Sequence, residues 1–205
     1  MITNNLLFMN QSGSFVERKV VEDSFIFEPK EGEHLNVVFL LFDGKLDVQV
    51  NLINENASCD IKVIYLADEK KKIDIQLVAN HMIKNTTSSQ IIKGIATNEA
   101  QVDFYGKIYI APNAIQTDGT QNHRAVLLSD KALIRSTPAL EIYADDVKCS
   151  HGSATGALPE DALFYLMSRG IEKKKAMQVL LEAFINDLLP NGSHPYTNEW
   201  IKQNV

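Results

Sequence analysis

A thiol, an imidazole and two neighbouring carboxylates meet in one short stretch of this 205-residue chain, Asp145-Asp146-Val147-Lys148-Cys149-Ser150-His151-Gly152. If the stretch is extended, Cys149 and His151 face the same side, about 7 Å apart along the strand. A thiolate and an imidazole so placed suit a soft or borderline metal, yet two donors do not close a site. The missing ligands must come from another segment or another chain. On spacing alone, the plainer reading is a packed thiol beside a hydrogen-bonded histidine. A cysteine hydrolase would need the histidine to activate the thiol, and no orienting third group is identifiable. Asp145 and Asp146 cannot flank one glycosidic bond, because neighbours on a strand point to opposite faces.

The remaining candidates carry less. His81 opens the polar segment His81-Met82-Ile83-Lys84-Asn85-Thr86-Thr87-Ser88-Ser89, which reads as a hydroxyl-rich turn capping strand ends. His123, in Gln121-Asn122-His123-Arg124 before an apolar run, is expected at the surface. His34 and His194 sit in loop-like sequence. Asn10-Gln11-Ser12, Asn56-Ala57-Ser58, Asn85-Thr86-Thr87 and Asn191-Gly192-Ser193 match the glycosylation acceptor, which carries no weight without a secretory signal. There is no Gly-rich phosphate loop ending in Gly-Lys-Ser/Thr, so ATP hydrolysis would belong to a partner.

The elements that must position these residues are mostly strands. Period-2 or apolar runs occur at Leu35–Phe42, Leu46–Ile53, Asp60–Leu66, Lys72–Ala79, Ser89–Ile95, Val102–Ile110, Ala125–Leu128 and Leu140–Tyr143. Turn signals separate them: Asp43-Gly44, Asn54-Glu55-Asn56, Asp68, Thr97-Asn98-Glu99, Pro112-Asn113 and Asp118-Gly119. The runs recur about every 12 to 15 residues with no helical pattern between, which excludes a doubly wound α/β sheet. A sandwich, a barrel or a solenoid remains. Amide-bearing residues such as Asn80, Asn85, Asn98 and Asn122 suit solenoid corners, since Asn tolerates left-handed backbone.

After residue 157 the pattern becomes helical. Leu158-Pro159-Glu160-Asp161 places Pro in a first turn and acids at its positive end. A short helix over Ala162–Arg169 stops at Gly170, and a second runs from about Glu172 to Leu188 before Pro190. Its apolar positions Ala176, Val179, Leu180, Ala183, Phe184 and Leu188 recur at helical spacing. Asn191 to Pro195 is loop-like, with Trp200-Ile201 either docked or free. The organisation is a β core over 1–157, a helical region over 158–190 and a tail over 191–205.

Composition narrows the function classes. With 45% apolar and 22% charged residues the chain reads as globular. Twenty Lys+Arg against 26 Asp+Glu leave a net charge of −6 with no basic cluster, which argues against nucleic acid as a partner. Two cysteines, Cys59 and Cys149, rule out a disulfide scaffold and point to a reducing compartment. The N-terminus lacks a signal-peptide pattern, and the longest apolar stretch, Val37 to Phe42, is far short of a bilayer span, so no membrane partner is expected.

Residues 81 to about 186 resemble the core of the SufB/SufD family, the scaffold subunits of SUF iron–sulfur cluster assembly, in the manner of its SufD branch. The resemblance rests on His81…Asn85-Thr86-Thr87-Ser88-Ser89-Gln90-Ile91-Ile92-Lys93-Gly94, Phe104-Tyr105-Gly106-Lys107-Ile108 and Gln116-Thr117-Asp118…Gln121. Its strongest block is Leu140-Glu141-Ile142-Tyr143-Ala144-Asp145-Asp146-Val147-Lys148-Cys149-Ser150-His151-Gly152, continued by Leu163-Phe164-Tyr165-Leu166-Met167-Ser168-Arg169-Gly170-Ile171. It implies a right-handed parallel β-helix with a C-terminal helical hairpin, in the cytoplasm or an organellar stroma or matrix. It also implies a noncatalytic scaffold that pairs with a SufB-like subunit, or with a second copy of itself, and binds a SufC-like ATPase. A transient iron–sulfur cluster, not a tightly bound cofactor, would form at the subunit interface. His151 corresponds to the SufD-type histidine, with Cys149 as its motif neighbour, and Phe164, Tyr165 and Arg169 fall in the ATPase-binding region.

Departures from the pattern qualify this expectation. Family members usually carry a helical N-terminal region and run to about twice this length, so the chain is either a minimal relative or the core alone. The segment equivalent to Gln121–Ser129, where SufB has its interface cysteine, contains none, and His123 falls roughly in that place. That argues against a SufB acting alone. It leaves a SufD-type partner, or a homodimeric β-helix interaction protein without cluster chemistry. A polysaccharide-active β-helix, the remaining alternative, has no positive support in the residues.

Overall fold

The computed structural model describes the backbone of residues 5–9, 15–19, 22–189 and 192–205, and side chains from residue 23 onward within those ranges. The acceptor motif at Asn10, the helix stop at Pro190 and Asn191 lie outside the described residues. Strands alternate between two sheets as the chain advances. One sheet holds β4 (His34–Leu41), β6 (Ser58–Ala67), β8 (Thr87–Ala96), β10 (Thr117–Leu127) and β12 (Val147–Gly156). The other holds β3 (Glu22–Phe27), β5 (Gly44–Leu52), β7 (Lys72–His81), β9 (Gln101–Ile110) and β11 (Leu133–Ile142). All pairings among these ten strands are parallel, so the chain is a β-solenoid in which each coil stacks on the last. β1 (Asn5–Met9) and β2 (Phe15–Lys19) form an antiparallel pair that extends the first sheet beside β4.

Alternation decides which side chains enter the lumen. On β5, Leu46, Val48, Val50 and Leu52 are fully buried while Asp47, Gln49 and Asn51 between them are half-exposed. The corners use left-handed residues, and Asn56, Asn85 and Gln116 occupy one corner of successive coils with φ of 59°, 59° and 57°. Glu69 and Asn98 do the same at another. Asn80 and Asn122, expected at corners, lie within β7 and β10 instead.

Three strands differ from the sequence expectation for one physical reason. β10 begins at Thr117, not Ala125, β11 at Leu133, not Leu140, and β12 was visible only as the stretch around Cys149. Their inward positions include polar or small residues, such as Gln121 and His123 on β10, Ser136 and Pro138 on β11 and His151 and Ser153 on β12, so the apolar alternation that marks a half-buried strand is interrupted. The Asp118-Gly119 turn signal falls inside β10. Gly119 is a close-approach position there, since a Cβ on it would meet Cys149 Sγ at 3.3 Å and Ile108 at 3.1 Å.

The second and third helices cover the outer face of the first sheet. α1 (Glu160–Ser168) starts directly after Pro159, which takes the N-cap position without a side-chain capping bond and so lies outside the first turn, and Gly170 follows its end at φ 84°. α2 (Lys173–Asn186) lays Leu181 and Ile185 against Leu40, Ile64, Leu66, Ile95 and Val126. The expected stripe is therefore rotated: Ala183 is exposed, and Val179 and Leu180 are only half-buried. The helix is apolar around much of its circumference, so periodicity offered two adjacent stripes and the sheet chose one. α3 (Pro195–Asn204) adds a helix the tail reading did not contain, and it docks Trp200 and Ile201 into the same cluster. His194 caps it by accepting from the Tyr196 amide at 3.3 Å. Lys93 ties α2 to the sheet, donating to the Phe184 carbonyl at 2.8 Å and to Asp187 at 2.6 Å. No helix among the described residues is long and apolar enough to cross a membrane.

Candidate functional site

In-register parallel stacking turns the lumen wall of the first sheet into columns that can be read from coil to coil. Leu35, Cys59, Ser88, Gly119 and Cys149 form one column. Val37, Ile61, Gln90, Gln121 and His151 form the next, followed by Phe39, Val63, Ile92, His123 and Ser153. Every column starts apolar at β4, and the first three become small or polar by β10. Since Thr117, Gly119, Gln121 and His123 are the buried, inward residues of β10, the aligned Cys149, His151 and Ser153 occupy the inward row of β12.

That row lies at an open end. β11 and β12 are the last strands of their sheets, and no further described strand pairs with either. Consequently His151 is exposed and Cys149 half-buried, although both take lumen positions. Cys149 packs beside Ile108, Ile110 and Ala114. Burial raises its thiol pKa, the Asp118 charge raises it further, and a backbone hydrogen bond from Gly119 acts the other way. The other thiol, Cys59, is pushed up to about 12, first by burial and then by Asp60, which keeps it protonated and inert. Both cysteines are free.

His123 corrects the surface placement expected for it. Only 1% exposed, it lies in the lumen against the Phe104 ring, with centroids 4.8 Å apart. Its Nε2 is 2.8 Å from the Tyr65 hydroxyl and its Nδ1 is 3.0 Å from Ser136 Oγ. Ser153 Oγ donates to Ser136 Oγ at 2.9 Å, so the network links both sheets up to β12. Tyr65 reaches His123 across Gly94, where a Cβ would collide with the phenol ring. Burial lowers the His123 pKa to about 4, and so the ring is neutral at pH 7. A neutral ring that donates from Nδ1 to Ser136 leaves Nε2 to accept from Tyr65.

His81 is likewise buried, its two ring nitrogens each 2.8 Å from a hydroxyl, of Thr86 and Ser88. Thr86 and Thr117 donate to the carbonyls of Ile83 and Ala114, which agrees with the capping role expected of this segment. His34 lies at the surface, 2.8 Å from Ser58 Oγ and 3.4 Å from Asp60. Asp145 and Asp146 are exposed. Phe164, Tyr165 and Arg169 gather on and just past α1, where Phe164 is 74% exposed and Arg169 stacks 5.2 Å over the Tyr165 ring. α1 buries none of its residues.

Sequence reasoning missed Gln121 beneath His151 and the Tyr65–His123–Ser136–Ser153 network. The available signal was the period-2 series Thr117, Gly119, Gln121, His123, Ala125, whose polar members read as outward. Among the described residues no group of three or more His, Cys, Asp and Glu side chains could hold a metal ion. The thiol and imidazole supply two donors of types that iron–sulfur chemistry accepts.

Fold and site together define a parallel β-solenoid that carries a soft donor pair on its last coil. Residues 33–184 match the family model described as SUF system FeS cluster assembly, SufBD core domain. That is well over half of the chain, and the chain belongs to this SufBD core family. It is 33% identical over 159 residues to the iron–sulfur cluster assembly protein SufD of Escherichia coli, covering 78% of this chain and 37% of that protein. A SufBD family iron–sulfur cluster assembly protein of Synechocystis is 40% identical over 102 residues, covering 50% of this chain and 22% of the relative. The chloroplastic protein ABCI7 of Arabidopsis thaliana is 30% identical over 172 residues, 81% of this chain and 36% of the relative. The chain thus spans about a third of the length of the curated relatives it matches.

Proposed function

We propose that this protein is a scaffold subunit for iron–sulfur cluster assembly of the SufD type, with no catalysis of its own. The observation that carries the reading is the pair Cys149 and His151 on the inward row of an uncapped last coil. Two donors at an open end make half a site. A SufB-type subunit, or a second copy of this chain, would bring the remaining ligands by stacking on the free edges of β11 and β12. The nascent cluster is then cargo, held in part by His151 and Cys149 and passed on. His123, deep beneath Ser153, acts from inside the wall and does not reach the rim.

The helical face supplies the second contact. α1 exposes Phe164, Tyr165 and Met167 and has no fully buried residue, as expected of a helix that docks an ATPase of the SufC type. Nucleotide hydrolysis belongs to that partner. Two free thiols fit a reducing compartment such as the cytoplasm or an organellar stroma.

Anaerobic reconstitution with iron and sulfide in the presence of SufB- and SufC-type partners tests the reading through cluster absorbance. His151→Ala is expected to abolish cluster formation with circular dichroism and partner binding intact. Normal cluster yield from that variant sinks the site assignment and leaves an interaction protein without cluster chemistry. Phe164→Ala with Tyr165→Ala is expected to lose the ATPase from a pull-down while the other partner is retained.

A further inference from the structure

The His151 column contains two buried polar atoms without a hydrogen-bond partner, Gln90 Nε2 and Gln121 Oε1. Gln121 and Gln90, one coil apart and 2% and 1% exposed, are joined by Gln121 Nε2 donating to Gln90 Oε1 at 2.5 Å. With its nitrogen engaged below, the Gln121 amide has its carbonyl Oε1 free, and that buried atom has no hydrogen-bond partner. Buried carbonyls are rarely left so. The residue directly above Gln121 in the column is His151. The amide is also held in place from the facing sheet, because Gly106 on β9 leaves the room it occupies and a Cβ there would overlap it.

We propose that Gln121 is the positioning residue for His151: the imidazole donates one ring N–H to Gln121 Oε1 and presents its other nitrogen at the open rim. Metal-binding imidazoles are held this way, with the second ring nitrogen donating to a carbonyl or carboxylate that fixes tautomer and ring orientation. Gln90 sets the direction of the Gln121 amide, and Gly106 sets its place. In the structure the bond is still open, with His151 exposed and Gln121 Oε1 unpartnered, so the ring must turn down into the lumen to make it. This positioning deepens the scaffold reading above, in which His151 is a cluster ligand, and it needs residues of this chain alone.

The test is long-range proton–nitrogen NMR of the full chain with labelled histidine, at a pH where His151 is neutral, the ring being assigned by its loss in His151→Ala. The wild-type ring is expected in a single tautomer. Gln121→Leu should release it to a mixture of both, and Gln121→Glu, which keeps an acceptor, should restore one. Gly106→Ala should also give a mixture although Gln121 is retained, and this variant decides the matter if Gln121→Leu does not fold. A wild-type ring that already samples both tautomers, or one unchanged by Gln121→Leu and Gly106→Ala, overturns the proposal. If the tautomer responds as expected while His151→Ala still assembles clusters, the scaffold reading fails and the positioning stands. If assembly is lost in His151→Ala but the tautomer ignores Gln121, the positioning alone fails.

Discussion

The coils built from β4 to β7 and those built from β8 to β12 share one backbone geometry and fill it with different chemistry. In the first group the lumen holds Phe39, Ile61, Val63, Leu77 and similar residues, all essentially inaccessible. In the second the same columns carry Ser88, Gln90, Gln121, His123 and finally Cys149, His151 and Ser153. Hydrophobic burial accumulates in the lower coils and supports the stack. The upper coils relinquish part of that burial to place donors and acceptors at the end where a partner strand could add. A solenoid permits this division because each coil contacts only its neighbours, so one end can be specialised without disturbing the other.

The contrast is sharpest in core truncations. Leu77→Ala, in the apolar lumen, is expected to destabilise by about 2–5 kcal/mol in urea unfolding, from lost transfer energy plus an unfilled cavity. Leu140→Ala, half-buried near the open end, should cost about 1 kcal/mol, because solvent already reaches the site. Equal costs would mean that the last coil is covered in solution, for example by a second copy of the chain.

Acidification probes the polar half. Burial lowers His81 and His123 to about 4, against an ordinary histidine near 6.5. Between these values the unfolded chain binds protons that the folded chain refuses. Stability is therefore intact above about pH 6.5 and falls as pH drops toward 4, by about 2 kcal/mol per histidine at pH 5. Urea midpoints at pH 7 and 5 measure it, and His123→Gln should remove about half of the histidine-linked loss. A midpoint that does not move would show that these rings are hydrated.

A single hydroxyl tests the same polar network. Tyr65→Phe leaves the ring in its Gly94 cradle but deprives His123 Nε2 of its donor, at a cost of about 1–3 kcal/mol. The same substitution should raise the His123 pKa, since a solitary lone pair in the lumen takes up a proton more readily than one already occupied. An unchanged pKa in histidine NMR would place the Tyr65 bond outside the network.

Much of the lower half was legible in the residues. Leu46 to Leu52 alternates cleanly because its inward positions are apolar, and β4 to β9 fall close to the expected runs for that reason. β10 and β11 were seen only at their apolar ends. A polar lumen residue such as Gln121 or His123 looks identical in sequence to a solvated one, and only the coil length of about thirty residues reveals which face it takes. α3 was missed because ten residues with two apolar anchors do not form a stable helix alone; docking of Trp200 and Ile201 on the sheet supplies what propensity lacks.

Sequence by itself determined the strand-rich core, the helical C-terminal region and the Cys149-x-His151 spacing, because alternation, helix stops and neighbour geometry are local properties. Tertiary structure decided what that spacing means. Register, set by backbone hydrogen bonding between strands thirty residues apart, stacked His151 on Gln121 and Ser153 on His123. Termination of both sheets at β11 and β12 left the donor pair at an open end. Neither fact is written in any window of the chain, since each depends on where whole coils come to rest on one another.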